Sequence, residues 1–182
     1  MDMVKPFGFK LFGQPATKKN SSEICKQRIK GTDRFRHLIV PSKKYREWEN
    51  NCRVQLMELK KQGLLPHFTT AVNLQCVYYL KNKAHFPDLN NLNAAIADII
   101  SDEYAMLENT LTGKKKRVLK RSWLLSNDTI IRTMDGSVIK GIDKNNPRVE
   151  IIITPLPVEL QTEINPYIIR QIKEQTETVL FE

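Results

Sequence analysis

The chain has 182 residues, 41% of them hydrophobic, with 29 Lys and Arg against 20 Asp and Glu and a formal net charge of +9. That length suits one domain with a real core plus extensions, and no apolar run reaches membrane-spanning length. Three widely separated cysteines, Cys25, Cys52 and Cys76, argue against a disulfide framework, and the basic excess favours a polyanionic partner, nucleic acid first.

Taken in order, Phe7 to Phe12 predicts a first strand closed by Gly13-Gln14-Pro15, and Met1 to Phe12 shows no cleavable-leader pattern. A polar loop follows, in which Lys18, Lys19 and Asn20 fit two readings: solvated loop charges, or contacts to a phosphate backbone. More cations lie between Arg28 and Arg36, and Phe35 to Val40 predicts a second strand. Ser42 is then a candidate N-cap for a helix with Tyr45, Trp48, Cys52, Leu56 and Leu59 at helical spacing, stopped by Gly63 and Pro66. Tyr45 and Trp48 fit core anchors better than base-stacking platforms.

Val72 to Leu80 alternates as a half-buried strand does. After it, Pro87 pushes Phe86 out of the helical region, and Asp88, Asn90 or Asn91 can cap a second helix. Leu92, Ala95, Ile96, Ile99 and Ile100 form its apolar stripe, with Asn91 and Asp98 along one edge. Residues 101–122 predict an excursion from the core, part loop and part helix. It is basic at Lys114, Lys115, Lys116 and Arg117, a face suited either to DNA or to solvent. Thr129 to Thr133 and Arg148 to Thr154 predict strands, separated by a turn or bulge at 134–137, and Pro155 and Pro157 end the sheet. Residues 158–182 predict a C-terminal helical extension. The expected class is therefore α+β: a small mixed sheet against two main helices, with a helical insertion at 101–122 inside a domain spanning 1–157.

No nucleotide-cradling, nucleophile-elbow or zinc-protease motif occurs, and His37, His67 and His85 are scattered without ligand spacing. The carboxylates Asp88, Asp98 and Asp128 remain. Gathered carboxylates need a neutralising cation, and hard oxygen donors suit Mg²⁺ or Mn²⁺. Spacing alone favours the plainer alternative, with Asp88 only a helix cap and Asp128 only a turn residue.

Four pieces, in order, bear on that choice: Gly13-Gln14-Pro15 with Lys18-Lys19-Asn20-Ser21; Pro41-Ser42-Lys43-Lys44-Tyr45; Pro87-Asp88-Leu89-Asn90-Asn91-Leu92 with Asp98; and Asn127-Asp128 followed by Asp135-Gly136-Ser137 and Asn146-Pro147-Arg148-Val149-Glu150-Ile151. In that order and spacing the chain resembles the RusA family of Holliday-junction resolvases, DNA endonucleases common in phages and prophages. The resemblance implies a RusA-like mixed sheet, a homodimer in the bacterial cytoplasm, branched double-stranded DNA as partner, and a role in recombination and repair.

It further implies a Mg²⁺ (or Mn²⁺) site held by Asp88, Asp98 and Asp128, with Asp88, Asn90 and Asp128 as the catalytic set. Lys18, Lys19, Asn20 and Lys114 to Arg117 would then contact DNA. This chain departs from the family pattern at two positions: Asn90 stands where the family has a second metal aspartate, and Ala94 where it has a helix lysine. Those departures define the alternative, a catalytically impaired RusA-like factor that binds DNA, or a host or phage protein.

Overall fold

A computed structural model describes residues 5–18, 22–83, 86–108, 113 and 115–157. Along the chain the elements are β1 (Phe7–Phe12), β2 (Ser22–Arg28), β3 (Phe35–Pro41), α1 (Lys43–Lys61), β4 (Val72–Leu80), α2 (Leu89–Ile100), β5 (Glu103–Glu108), β6 (Lys115–Arg121), a 3-10 turn at Asp128–Ile130, β7 (Ile131–Thr133), β8 (Val138–Ile142) and β9 (Arg148–Pro155). The fold is α+β, with one mixed sheet and two helices. Among the described residues no helix is long and apolar enough to cross a membrane.

The main sheet runs β1-β9-β4, all antiparallel, and both β7 and β8 pair in parallel along the remaining edge of β4. Alternation decides its faces. Val72, Leu74, Cys76, Tyr78 and Leu80 of β4, Val149, Ile151 and Ile153 of β9, and Leu11 of β1 are buried, and their register aligns them on one side. The helices supply the other half of that core, through Tyr45, Trp48, Cys52 and Leu56 of α1 and Leu92, Ala95, Ile96, Ile99 and Ile100 of α2. Each such aliphatic side chain taken fully from water stabilises by about 1.5–3 kcal/mol, so the two stripes account for where the helices sit.

Both helix starts follow local chemistry. The Ser42 hydroxyl accepts from Tyr45 N–H at 3.2 Å, and Asp88 Oδ1 accepts from Asn91 N–H at 3.1 Å. The carboxylate Glu23 of β2 also reaches the α1 N-terminus, accepting from Lys43 N–H at 3.0 Å and lying 3.3 Å from the Arg46 guanidinium. A negative charge there complements the helix dipole.

The gap between β7 and β8 is closed by side chains. Asn73 Oδ1 accepts from Asp135 N–H at 2.9 Å and from the Thr133 hydroxyl at 2.6 Å, while the Ser137 hydroxyl accepts from Cys76 N–H at 3.0 Å. Gly136 turns the corner at φ +80°, where an added Cβ would lie 2.8 Å from Gln75 Nε2. The turn expected at 134–137 is therefore present, with its hydrogen bonds supplied by β4.

Four expectations change. Residues 101–122 carry no helix among the described positions; they form a two-stranded antiparallel ribbon, β5–β6. Its composition (Ala, Met, Leu, Glu, Lys) is helix-forming, but cross-strand pairing prevails: Met106 opposite Arg117, Glu108 opposite Lys115, and Arg117 over the Tyr104 ring at 3.9 Å. Residues 22–28, where no strand is predicted, pair with β3 as a second ribbon. Residues 138–142 are a strand, and Thr129–Thr133 divides into the end of the 3-10 turn and the short β7. The helix expected at 158–182 lies outside the described residues.

Candidate functional site

The α2 edge was the expected centre. Asp88 stands at the joint after β4, exposed, with one oxygen used as the cap; Asn90, two residues further on, is exposed. Asn93, which the sequence did not single out, is buried and accepts from the Tyr78 hydroxyl at 3.0 Å. Burial pushes the Tyr78 phenol above its ordinary range, so it remains a neutral donor. An Asn on an otherwise apolar stripe facing a tyrosine at the middle of a strand is the signal that would have found this pair.

Asp98 lies near the far end of the helix, ten residues or about 15 Å along the axis from Asp88. Its Oδ2 is 2.9 Å from Lys18 Nζ. Lys18, expected on phosphate, is thus engaged by a carboxylate, and that carboxylate is neutralised by a lysine. Beneath this pair, burial first, then Glu49 and Asp98, push the Tyr45 phenol upward. The Tyr45 hydroxyl is buried and has no hydrogen-bond partner among the described residues.

Asp128 opens the 3-10 turn, exposed, with Asn127 as the cap that accepts from Thr129 N–H at 2.9 Å. The chain just before it closes the C-terminal end of α2, where Leu124 and Leu125 N–H both donate to Ile100 C=O at 3.0 Å. The chain just after it, at Ile131, pairs with Val72 at the start of β4. Asp88 follows the end of β4. Asp88 and Asp128 therefore belong to opposite ends of a 12-residue helix, about 18 Å long.

Within one chain the three expected metal ligands therefore stand apart. Among the described residues no three of His, Cys, Asp and Glu are grouped closely enough to hold a metal ion, so Asp88, Asp98 and Asp128 do not converge within one chain. One Asp88 oxygen caps the helix, Asp98 is ion-paired with Lys18, and Asn90 offers an amide without charge. The reason is topological. A βαβ crossover places the residue before the helix and the residue after it at opposite ends of the parallel strands.

The basic part of the site is more coherent. β6 reads Lys115-Lys116-Arg117-Val118-Leu119-Lys120-Arg121, exposed except for a half-buried Val118. Lys115 sits 3.9 Å from Glu108, while Lys116 and Lys120 have no partner among the described residues. The root of the ribbon is fixed: Arg53 of α1 pairs with Glu103, whose carboxylate also accepts from Trp123 Nε1–H at 3.2 Å. At the same root Asp102, 3% exposed, accepts from Trp123 N–H at 2.6 Å and lies 3.1 Å from His67 Nε2. Lys19, Asn20 and Lys114 lie outside the described residues.

A second charged network occupies the open face of the main sheet. Arg148 reaches Glu150 at 2.9 Å and Asp143 at 2.8 Å, lies 3.8 Å over the Tyr79 ring, and Lys10 reaches Glu150 at 3.0 Å. Arg148 hydrogen-bonds Asp143 and lowers its carboxyl below the usual range; Lys10, then Arg148, does the same to Glu150. No family model matches this chain, and no curated protein matches it.

Proposed function

We propose that this protein binds branched double-stranded DNA as a RusA-like module, gripping phosphates with the β5–β6 ribbon, and that its single chain is catalytically impaired. The observation that carries this reading is β6: five of its seven residues are cations, all exposed, on a ribbon whose root is held by the Arg53–Glu103 pair and Trp123. A run of this kind supplies sequence-independent phosphate contacts, each adding about 0.9 to the salt slope of binding. Impairment follows from Asn90, from Ala94, and from carboxylates divided between the two ends of α2.

One observation favours the other reading, a Mg²⁺- or Mn²⁺-dependent endodeoxyribonuclease. Asp88 keeps one carboxylate oxygen without a partner among the described residues at the exposed strand–helix joint, with Asn90 nearby. Asp88, Asn90 and Asp128 are the residues it assigns to catalysis. Both readings carry the expectations of a homodimer, a bacterial cytoplasm and, for the impaired form, a host or phage protein partner.

A labelled four-way junction incubated with the protein in Mg²⁺ or Mn²⁺ separates them. Salt-dependent binding without cutting at high protein concentration is the expected result. Cutting that disappears in Asp88→Asn establishes the nuclease instead, and absence of junction binding at moderate salt removes both readings.

A further inference from the structure

The β2–β3 ribbon presents a face that no other element covers among the described residues. Among the described residues its strands pair only with each other, and register aligns Ile24 with Ile39, Lys26 with His37, and Arg28 with Phe35. Alternation puts all six on one side, and all six are exposed; Ile24 is 73%, Ile39 79% and Phe35 59% accessible. Residues on the other side, Cys25, Leu38 and Val40, are half-buried. Singly exposed apolar residues are ordinary, but two β-branched residues directly opposed at this exposure on an isolated ribbon call for a partner.

Charge identifies that partner. Residues 22–41 carry five Lys and Arg against two acids. Arg28 is held at the tip by Asp33 at 2.5 Å and by Thr32 C=O at 3.1 Å. The side chains of Lys26, Lys30 and Arg34 have no partner among the described residues. A second copy stacked on this face would set Lys26 and Arg28 against their own counterparts, whereas a polyanion is attracted to them.

Shape narrows it further. The B-form major groove, about 12 Å wide, admits a two-stranded β-ribbon and presents thymine methyls to apolar side chains. The deep, narrow major groove of an A-form RNA duplex does not.

We propose that the Ile24/Ile39 face of the β2–β3 ribbon inserts into the major groove of a DNA duplex, with Lys26, Lys30 and Arg34 on the flanking phosphates. Glu23, bonded to the α1 N-terminus, sets the angle at which the ribbon leaves the body. This rests on DNA binding alone and needs neither a branch point nor a metal.

The test uses the whole protein, a short unbranched DNA duplex and an RNA duplex of the same sequence, by fluorescence anisotropy over a salt series without divalent cation. The unaltered protein is expected to prefer DNA. Lys26→Ala/Lys30→Ala/Arg34→Ala is expected to weaken DNA binding roughly tenfold or more and to lower the salt slope by about 2 to 3. Ile24→Ser/Ile39→Ser is expected to reduce the preference for DNA over RNA. Thermal melts verify that both variants fold, as five exposed positions should allow. Unchanged affinity in both variants overturns the proposal, as does conversion of a dimer to a monomer by the Ile variant with DNA binding intact, which would make the face a self-association surface. A Lys115→Ala/Lys116→Ala/Arg117→Ala control separates the two ribbons: if it alone loses DNA, the β5–β6 reading stands and this proposal falls.

Discussion

Asp102→Ala is expected to destabilise the protein by roughly 2–3 kcal/mol, mostly through one hydrogen bond. Asp102 is almost wholly buried, its Oδ1 accepts from Trp123 N–H at 2.6 Å, and its Oδ2 lies 3.1 Å from His67 Nε2. Trp123 is itself 2% exposed, so its amide has no ready access to water once the carboxylate is gone. An unsatisfied buried N–H costs about 1–3 kcal/mol, while the His67 contact, with that ring 38% exposed, contributes at most about 1 kcal/mol. For a chain of this length the loss corresponds to a melting temperature lower by roughly 4–12 °C. Asp102→Asn retains an acceptor for Trp123 and should cost less than about 1 kcal/mol, and His67→Ala should resemble it. Urea and thermal unfolding followed by circular dichroism give all three values. If Asp102→Ala lies within about 0.5 kcal/mol of the parent, the assignment of a buried, hydrogen-bonded anchor at the ribbon root is wrong.

Two further outcomes follow from the titrating groups. Asp143 and Glu150 are held below the ordinary carboxylate range in the folded state, so the unfolded chain binds more protons as the medium turns acid. Their contribution is complete above the ordinary carboxylate values and is lost as pH falls through the depressed ones. Arg148→Met should therefore flatten the decline of melting temperature between about pH 5 and pH 3; parallel profiles would show that Arg148 does not hold these carboxyls. Burial pushes the Cys52 and Cys76 thiols up to about 12, whereas Cys25 is half-buried on a ribbon. A thiol reagent should accordingly label one cysteine in the native protein and three after denaturation, and native labelling of Cys52 or Cys76 at the rate of Cys25 would contradict the packing.

Much of the architecture was legible from local signals. Ser42 and Asp88 cap their helices because a short oxygen-bearing side chain before an apolar stripe satisfies N–H groups that the helix leaves free. The alternation in β4 and the run in β9 predicted strands, since a core-facing sheet imposes a period of two. The site was far less legible. Asp88, Asp98 and Asp128 follow one another along the chain as a metal set would, yet motif order carries no distance. Separation along α2, the Lys18–Asp98 pair and the capping duty of Asp88 disperse them.

The amino-acid sequence by itself determined α1, α2, β1, β3, β4, β9 and the turn at 134–137, because each depends on neighbours within a few residues, and it set the net charge of +9. Tertiary structure alone decided that β2 is a strand paired with β3 and that β5 and β6 form a ribbon. Most of their residues are exposed and none is fully buried, so no strong burial period marks them, and these strands exist through cross-strand pairing. It also decided which carboxylates meet cations rather than one another: Asp98 meets Lys18, 80 residues away, and Glu150 meets Lys10 across the β1–β9 register. Chain order cannot encode such contacts, because they form only when the sheet and crossover helix bring remote segments together.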